Sequence, residues 1–167
     1  RRRIAATAAL AAAGILLFIW SGASQAATPW GIRSVKALGK EELDGLSDSM
    51  LHVTPPSGMY GVFDEKIAAF MAVRRGSYYN MGRYFAVELV TQLLVGAFLT
   101  AILMLTNSLA LEAQIVLIGC VSLLAHAAIE MQYWNWWGFT TRYSLGFAVN
   151  RTVGLVIAAF IIANWIV

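Results

Sequence analysis

The chain has 167 residues, of which 59% are hydrophobic and 13% are charged. Soluble domains average about 45–50% apolar and about 25% charged residues, so this composition excludes an ordinary water-soluble globule. The net charge of +3 is too small to indicate nucleic-acid binding. Cys120 is the only cysteine, which excludes a disulfide scaffold within the chain. The composition therefore predicts an integral membrane protein.

Four apolar stretches have the length needed to cross a bilayer, which is roughly 20 residues. None of them alternates with a period of two, and an open sheet cannot sit in lipid, so each stretch predicts a helix. The sequence thus predicts an all-α membrane protein, a single multi-pass domain with a long external loop between the first two transmembrane helices. The predicted spans are residues 4–20, 85–105, 114–131 and 144–166, and the external loop is residues 21–84.

The first span also has features of a secretory signal peptide. Its basic start and apolar stretch are followed by Ser24, Gln25 and Ala26, a small-x-small pattern that a signal peptidase can accept. Because the segment forms part of the chain, we interpret it as an uncleaved membrane anchor.

Positive charge beside the spans predicts how the chain is oriented. Arg1, Arg2 and Arg3 place the N-terminus in the cytoplasm, and four crossings return the C-terminus to the same side. The loop 21–84 would then form an extracytoplasmic cap. We expect a multi-pass protein of the bacterial inner (cytoplasmic) membrane with both termini cytoplasmic.

The external loop carries signals for short elements of its own. Lys40 to Leu51 reads as a short helix with acidic residues in its first turn, where the helix dipole favours them. Met59 to Phe63 is predicted to be a short extended segment. Asp64 to Arg75 is predicted to be an amphipathic helix, with its apolar residues at helical spacing.

Ionisable residues are rare after residue 84, and four of them fall at a similar depth in the predicted spans: Glu88, His126, Glu130 and Arg151. A charge in the middle of a bilayer costs several kcal/mol unless it is paired or hydrated, so the main interpretation is a structural ion cluster in which Arg151 neutralises a carboxylate. Three alternatives stay open. They are a divalent metal held by Glu88, His126 and Glu130, an axial bond from His126 to a haem or pigment macrocycle, and a proton relay.

The segment between the third and fourth spans is unusually aromatic, running from Tyr133 to Phe139. Tryptophan and tyrosine concentrate at the headgroup level of membranes, so an interfacial belt is the simplest interpretation. A ligand platform is the alternative, formed by His126 with Trp134, Trp136 and Trp137.

The chain resembles a family of small, uncharacterised bacterial integral membrane proteins with four helices. The resemblance covers nearly the whole chain and is carried by Phe18 to Gly22, Pro29 to Ile32, Lys36 to Leu38, Glu41 and Glu42, Gly58 to Tyr60, the Tyr-Trp-Asn-Trp-x-Gly-Phe turn at Tyr133 to Phe139, and Val153 with Gly154. It departs from the family at Gln25, where many relatives have His, and after Phe63, where the loop is shortened and basic. The resemblance implies a fold and a membrane location, and it implies no activity or catalytic residue.

No phosphate-binding loop, paired cysteine, zinc motif or nucleophile elbow occurs in the sequence. Small residues at Gly96 and Thr100, and at Gly154 and Ala158, have the spacing that lets helices approach closely and could also receive a partner. The sequence therefore favours a non-catalytic accessory or scaffold subunit of a larger membrane complex, such as a respiratory or photosynthetic one. The expected partners are membrane lipids and other integral membrane subunits, with no metal or other cofactor. The alternatives are an intramembrane binding protein for a macrocycle, quinone or lipid, and a metal-dependent membrane enzyme.

Overall fold

The computed structural model describes residues 2–28, 58–63, 68–73 and 80–166. The described part contains four long helices, each long and apolar enough to cross a membrane. This confirms the predicted four-helix architecture. The helices are α1 (Arg2–Ala27), α2 (Met81–Leu105), α3 (Leu111–Trp136) and α4 (Thr141–Ile166).

The helices extend beyond the predicted apolar spans at several ends. The helix α1 continues past Trp20 to Ala27, and α2 begins at Met81 rather than Phe85. An apolar stretch marks only the part of a helix that favours the hydrocarbon region of a bilayer. Polar side chains can cap the helix and extend it beyond that part. Asn80 does so at the start of α2, where its Oδ1 accepts a hydrogen bond from the backbone N–H of Arg83 at 3.1 Å.

The two short connections between helices are held by specific hydrogen bonds. Gln114, which is 2% exposed, donates from Nε2 to the carbonyl of Thr106 at 2.7 Å and so binds the free end of α2 to α3. At the end of α3, the N–H of Phe139 donates to the carbonyl of Tyr133 at 3.2 Å. Gly138 lies between them with φ of 69°, the left-handed conformation that commonly ends a helix and that glycine adopts without strain.

The helix α1 packs closely against α2 and α4 through small residues. A Cβ atom added to Gly96 would lie 2.7 Å from the backbone nitrogen of Gly14, and one added to Gly154 would lie 2.5 Å from the ring of Trp20. Ala158, four residues after Gly154, is fully buried. The predicted close contacts at these small residues are confirmed, but they lie between helices of this chain. Another helix of this chain therefore already packs against these small residues, and they offer no support for a separate partner.

The helix α3 is less buried by the rest of the bundle than the other three helices. It packs chiefly against α4, and Ser122 of α3 and Thr152 of α4 share a hydrogen bond of 2.9 Å between their hydroxyl groups. Fewer of its residues are buried than in the other helices, and Leu124 is 71% exposed. In the bundle, α1 thus packs against both α2 and α4, and α3 packs along α4.

A small antiparallel hairpin lies in the segment between α1 and α2. Its strands are β1 (Gly58–Phe63) and β2 (Ala68–Val73), paired with Gly58 opposite Val73 and Phe63 opposite Ala68. The extended segment predicted at Met59 to Phe63 is confirmed.

The predicted amphipathic helix at Asp64 to Arg75 is wrong over residues 68–73, because the neighbouring strand satisfies the backbone hydrogen bonds of these residues. The all-α prediction holds for the four long helices. The predicted helix at Lys40 to Leu51 lies outside the described residues.

The close approach of α1 and α2 predicts opposite effects for two glycine-to-alanine substitutions. Gly96→Ala should lower the melting temperature in detergent, because its methyl group meets backbone atoms that cannot rotate away, and overpacking costs about 1–3 kcal/mol. Gly119→Ala is the matched control on α3, since its nearest neighbour would be Val156 at 4.0 Å. It should leave the melting temperature unchanged or raise it, as alanine favours helix by about 1 kcal/mol. Equal melting temperatures for both variants would contradict the packing of α1 on α2.

Candidate functional site

The structure divides the four predicted cluster residues into two groups. Glu88 lies on the side of α2 that faces α1. Its Oε1 accepts hydrogen bonds from Ser21 Oγ at 3.2 Å and from Gln92 Nε2 at 2.7 Å. His126 and Glu130 lie one turn apart on α3 and face α4. Two donors from the protein therefore already bind Glu88, whereas His126 and Glu130 belong to a different surface.

Arg151 of α4 lies between these two groups. Its guanidinium carbon is 5.9 Å from the centre of the Phe147 ring, and its charge is close enough to interact electrostatically with His126 and Glu130. Within the described part of the chain, no ion pair shorter than 4.0 Å joins Arg151 to a carboxylate. The predicted contact of Arg151 with Glu130 or Glu88 therefore stays a prediction. Of these two carboxylates, Glu130 is the one that interacts electrostatically with Arg151 in this structure.

A groove of about 340 Å³ runs between α3 and α4 and is named here the α3–α4 groove. Leu123, Met131 and Leu145 form much of its apolar lining. His126, Glu130 and Ser144 bring polar side chains into the same groove.

Ser144 is the least expected residue of this groove. It is only 6% exposed, and its Oγ has no hydrogen-bond partner within the described residues. Buried hydroxyl groups are normally hydrogen-bonded, so an unpartnered one beside a groove is unusual. Nothing in the sequence distinguishes Ser144 from other serines in helices. Its position in the groove depends on how α4 is rotated about its own axis.

A second groove, of about 260 Å³, lies between α2, α3 and α4 and is named here the central groove. Its walls are apolar apart from Ser122, His126 and Arg151. His126 lines both grooves, so this side chain lies at the boundary between them.

The tryptophans of the aromatic turn do not form one surface. Trp134 lines the α3–α4 groove, and its Nε1 donates to Thr141 Oγ1 at 3.1 Å. Trp136 is 69% exposed, and Trp137 packs edge-on against Tyr133 with ring centres 5.6 Å apart. Of the three tryptophans in the predicted platform, only Trp134 lines a groove together with His126.

A row of aromatic rings leads from the turn along α4 towards Arg151. Tyr133 packs against Phe139, Phe139 against Tyr143, and Tyr143 against Phe147, with ring centres between 4.8 and 5.4 Å apart. Sequence reasoning missed this row, although its last members recur at intervals of four residues, the spacing of neighbours on one helix face. The row ends at Phe147, the ring next to Arg151.

The predicted metal ligands Glu88, His126 and Glu130 are not brought together. Within residues 2–28, 58–63, 68–73 and 80–166, no three side chains of His, Cys, Asp or Glu are arranged to hold a metal ion. The three residues occupy the two separate surfaces described above.

No protein-family model matches the chain, and neither a curated protein nor a solved structure is significantly similar to it. The resemblance based on the Tyr133 to Phe139 turn therefore stays a prediction, and the function has to be argued from the site itself.

The position of Arg151 predicts an energetic coupling to Glu130 and none to Glu88. In a double-mutant cycle of thermal unfolding in detergent, Arg151→Ala and Glu130→Gln should be non-additive by about 0.5–3 kcal/mol, as expected for interacting neighbours. Arg151→Ala and Glu88→Gln should be additive, because Ser21 and Gln92 bind Glu88. Arg142→Ala, in the exposed first turn of α4, is the control for loss of a cation. Coupling to Glu88 alone would contradict this assignment.

Proposed function

We propose that this protein binds an uncharged amphiphile within the membrane, in the α3–α4 groove, and catalyses no reaction of its own. The observation that carries the proposal is the grouping of His126, Glu130 and the unpartnered Ser144 in a groove whose walls are otherwise apolar. Such a combination is typical of small-molecule sites, in which apolar walls supply affinity and a few polar groups fix orientation. The groove volume of about 340 Å³ falls in the range of roughly 300–1,000 Å³ that such sites occupy.

The charges around the groove favour a neutral head group. An anionic head group would meet the carboxylate of Glu130, and the charge of Arg151, which already acts on Glu130, opposes a cationic one. A carbonyl or hydroxyl head group can instead hydrogen-bond to His126, Glu130 and Ser144 without bringing a further charge into the bilayer. Quinones and neutral lipids have this chemistry.

Access from the lipid supports the same ligand class. The groove lies beside α3, the least covered helix, and α3 presents Leu123 and Met131 both to the groove and to the surroundings. An amphiphile dissolved in the bilayer could therefore enter sideways without crossing the headgroup region. A macrocycle ligated by His126 is the other ligand class that this groove could serve, and its visible absorption spectrum would reveal it.

Two neighbouring alanines provide a matched test of the binding site. Ala127 lines the groove, whereas Ala128 is exposed and lines none of the grooves described here. Wild-type protein in lipid nanodiscs should show saturable quenching of tryptophan fluorescence by a short-chain quinone, since Trp134 lies in the groove. Ala127→Phe should abolish the saturable component by filling the site, and Ala128→Phe should retain it.

Two results would contradict the binding proposal. One is quenching that rises linearly with quinone concentration in the wild type, as expected for simple partitioning into lipid. The other is an equal loss of quenching in both phenylalanine variants, which would show that the groove is not the site.

An accessory role in a larger membrane complex is the second candidate function, and the exposed α3 supports it. Its outward residues include Val116 and Leu124, which in an assembly would pack against another subunit. Purification in mild detergent distinguishes the two functions. Stoichiometric co-purification of another membrane protein would favour the accessory role, whereas a homogeneous protein carrying a small amphiphile would favour binding.

We further propose that the four helices insert in a bacterial cytoplasmic membrane with both termini in the cytoplasm. The positive charge of Arg1 to Arg3 supports this orientation. A cysteine introduced at Ser47, in a Cys120→Ala background, should react with an impermeant thiol reagent in spheroplasts before lysis. Labelling that appears only after lysis would place the loop 21–84 in the cytoplasm and reverse the orientation.

A further inference from the structure

A small cavity between α1, α2 and α4 has a different character from the two grooves. Its volume is about 40 Å³, and six of its nine lining residues carry polar groups, although most of the lining surface itself is apolar. The polar lining consists of Trp20, Ser21, Gln25, Gln92, Asn150 and Arg151. We name it the inner cavity.

The lining and size of the inner cavity match those of a hydrated site. A cavity needs about 10–15 Å³ of space for probe centres to hold one water molecule, and that water needs two to four polar partners. The inner cavity exceeds this volume, and its lining brings donors and acceptors from three helices. Apolar cavities stay dry, whereas a cavity of this size that offers two to four polar partners can hold water.

The inner cavity matters because the charged side chain of Arg151 lines it. A guanidinium group in the bilayer costs several kcal/mol unless it is paired or hydrated. The ring of Phe147 at 5.9 Å offers only a weak cation–π contact. Among the described residues no ion pair shorter than 4.0 Å compensates the charge, and the polar side chains of the inner cavity form part of the surroundings of Arg151.

We propose that the inner cavity binds a small cluster of water molecules that hydrates the Arg151 guanidinium inside the bundle. Arg151 then has two sides. Water in the inner cavity solvates one side, and the other lines the central groove next to His126. The guanidinium is thus kept charged without a direct ion pair, and its field acts on Glu130 across α3 and α4.

Glu88 lies next to the inner cavity, behind the two side chains that bind it. Ser21 and Gln92 donate to Glu88 Oε1 and also line the inner cavity. A bound anion is disfavoured at this place, because Glu88 is negative and both side chains already donate to it.

Water contact with Arg151 can be measured directly by solid-state NMR in lipid bilayers. Protein labelled with ¹⁵N-arginine is observed after magnetisation transfer from water, and Arg151→Lys identifies the Arg151 signal. The signal should grow as fast as that of Arg142, which is exposed at the start of α4. Growth much slower than that of the Arg142 signal would overturn the proposal, because it would mean that Arg151 lies in a dry environment.

Two asparagines of α4 provide the matched variants. Asn150→Leu makes the cavity lining less polar and should slow the transfer from water to Arg151. Asn164→Leu, at the far end of the same helix, is exposed and should leave it unchanged. An equal effect of both variants would overturn the assignment of the water to this cavity. A shift of the Arg151 signal when chloride is replaced by nitrate would show an anion and overturn it as well.

Discussion

The cost of placing polar and charged groups in a bilayer constrains this structure more than any other interaction. Glu88, His126, Glu130 and Arg151 all lie in the half of the bundle nearest the loop 21–84 and the aromatic turn, and Glu88 and Arg151 have polar neighbours there. Glu88 is bound by two donors, and Arg151 faces the inner cavity. His126 and Glu130 are the exception, because they open into a groove beside lipid. This difference is what makes the α3–α4 groove the candidate site.

The packing of the helices explains how one part of the bundle can be rigid while another receives a ligand. Small residues let α1 lie directly against α2 and α4, and the Trp20 indole donates to the carbonyl of Asn150 at 2.9 Å. The helix α3 makes no comparable close approach within the described residues. It packs along α4, and hydrogen bonds join Ser122 to Thr152 and Trp134 to Thr141. The groove therefore lies beside the helix that is least buried in the bundle.

The four spans could be predicted because apolar length is a property of the sequence itself. The rarity of ionisable residues also identified Glu88, His126, Glu130 and Arg151 as the residues to examine. Their grouping could not be predicted, since it depends on how each helix is rotated about its axis. The same limit applies to Ser144. The hairpin strand at Ala68 to Val73 was misread as a helix because its apolar residues fit both periods, and the pairing partner decided between them.

A crystal structure of the protein grown from a lipid phase, with no ligand added, tests the central claim most directly. The account predicts elongated density in the α3–α4 groove, with a polar end within hydrogen-bond distance of Ser144 Oγ or the Glu130 carboxylate. It would be contradicted by a groove closed by the side chain of Trp134 or Met131, with Ser144 bonded to a neighbouring protein group instead.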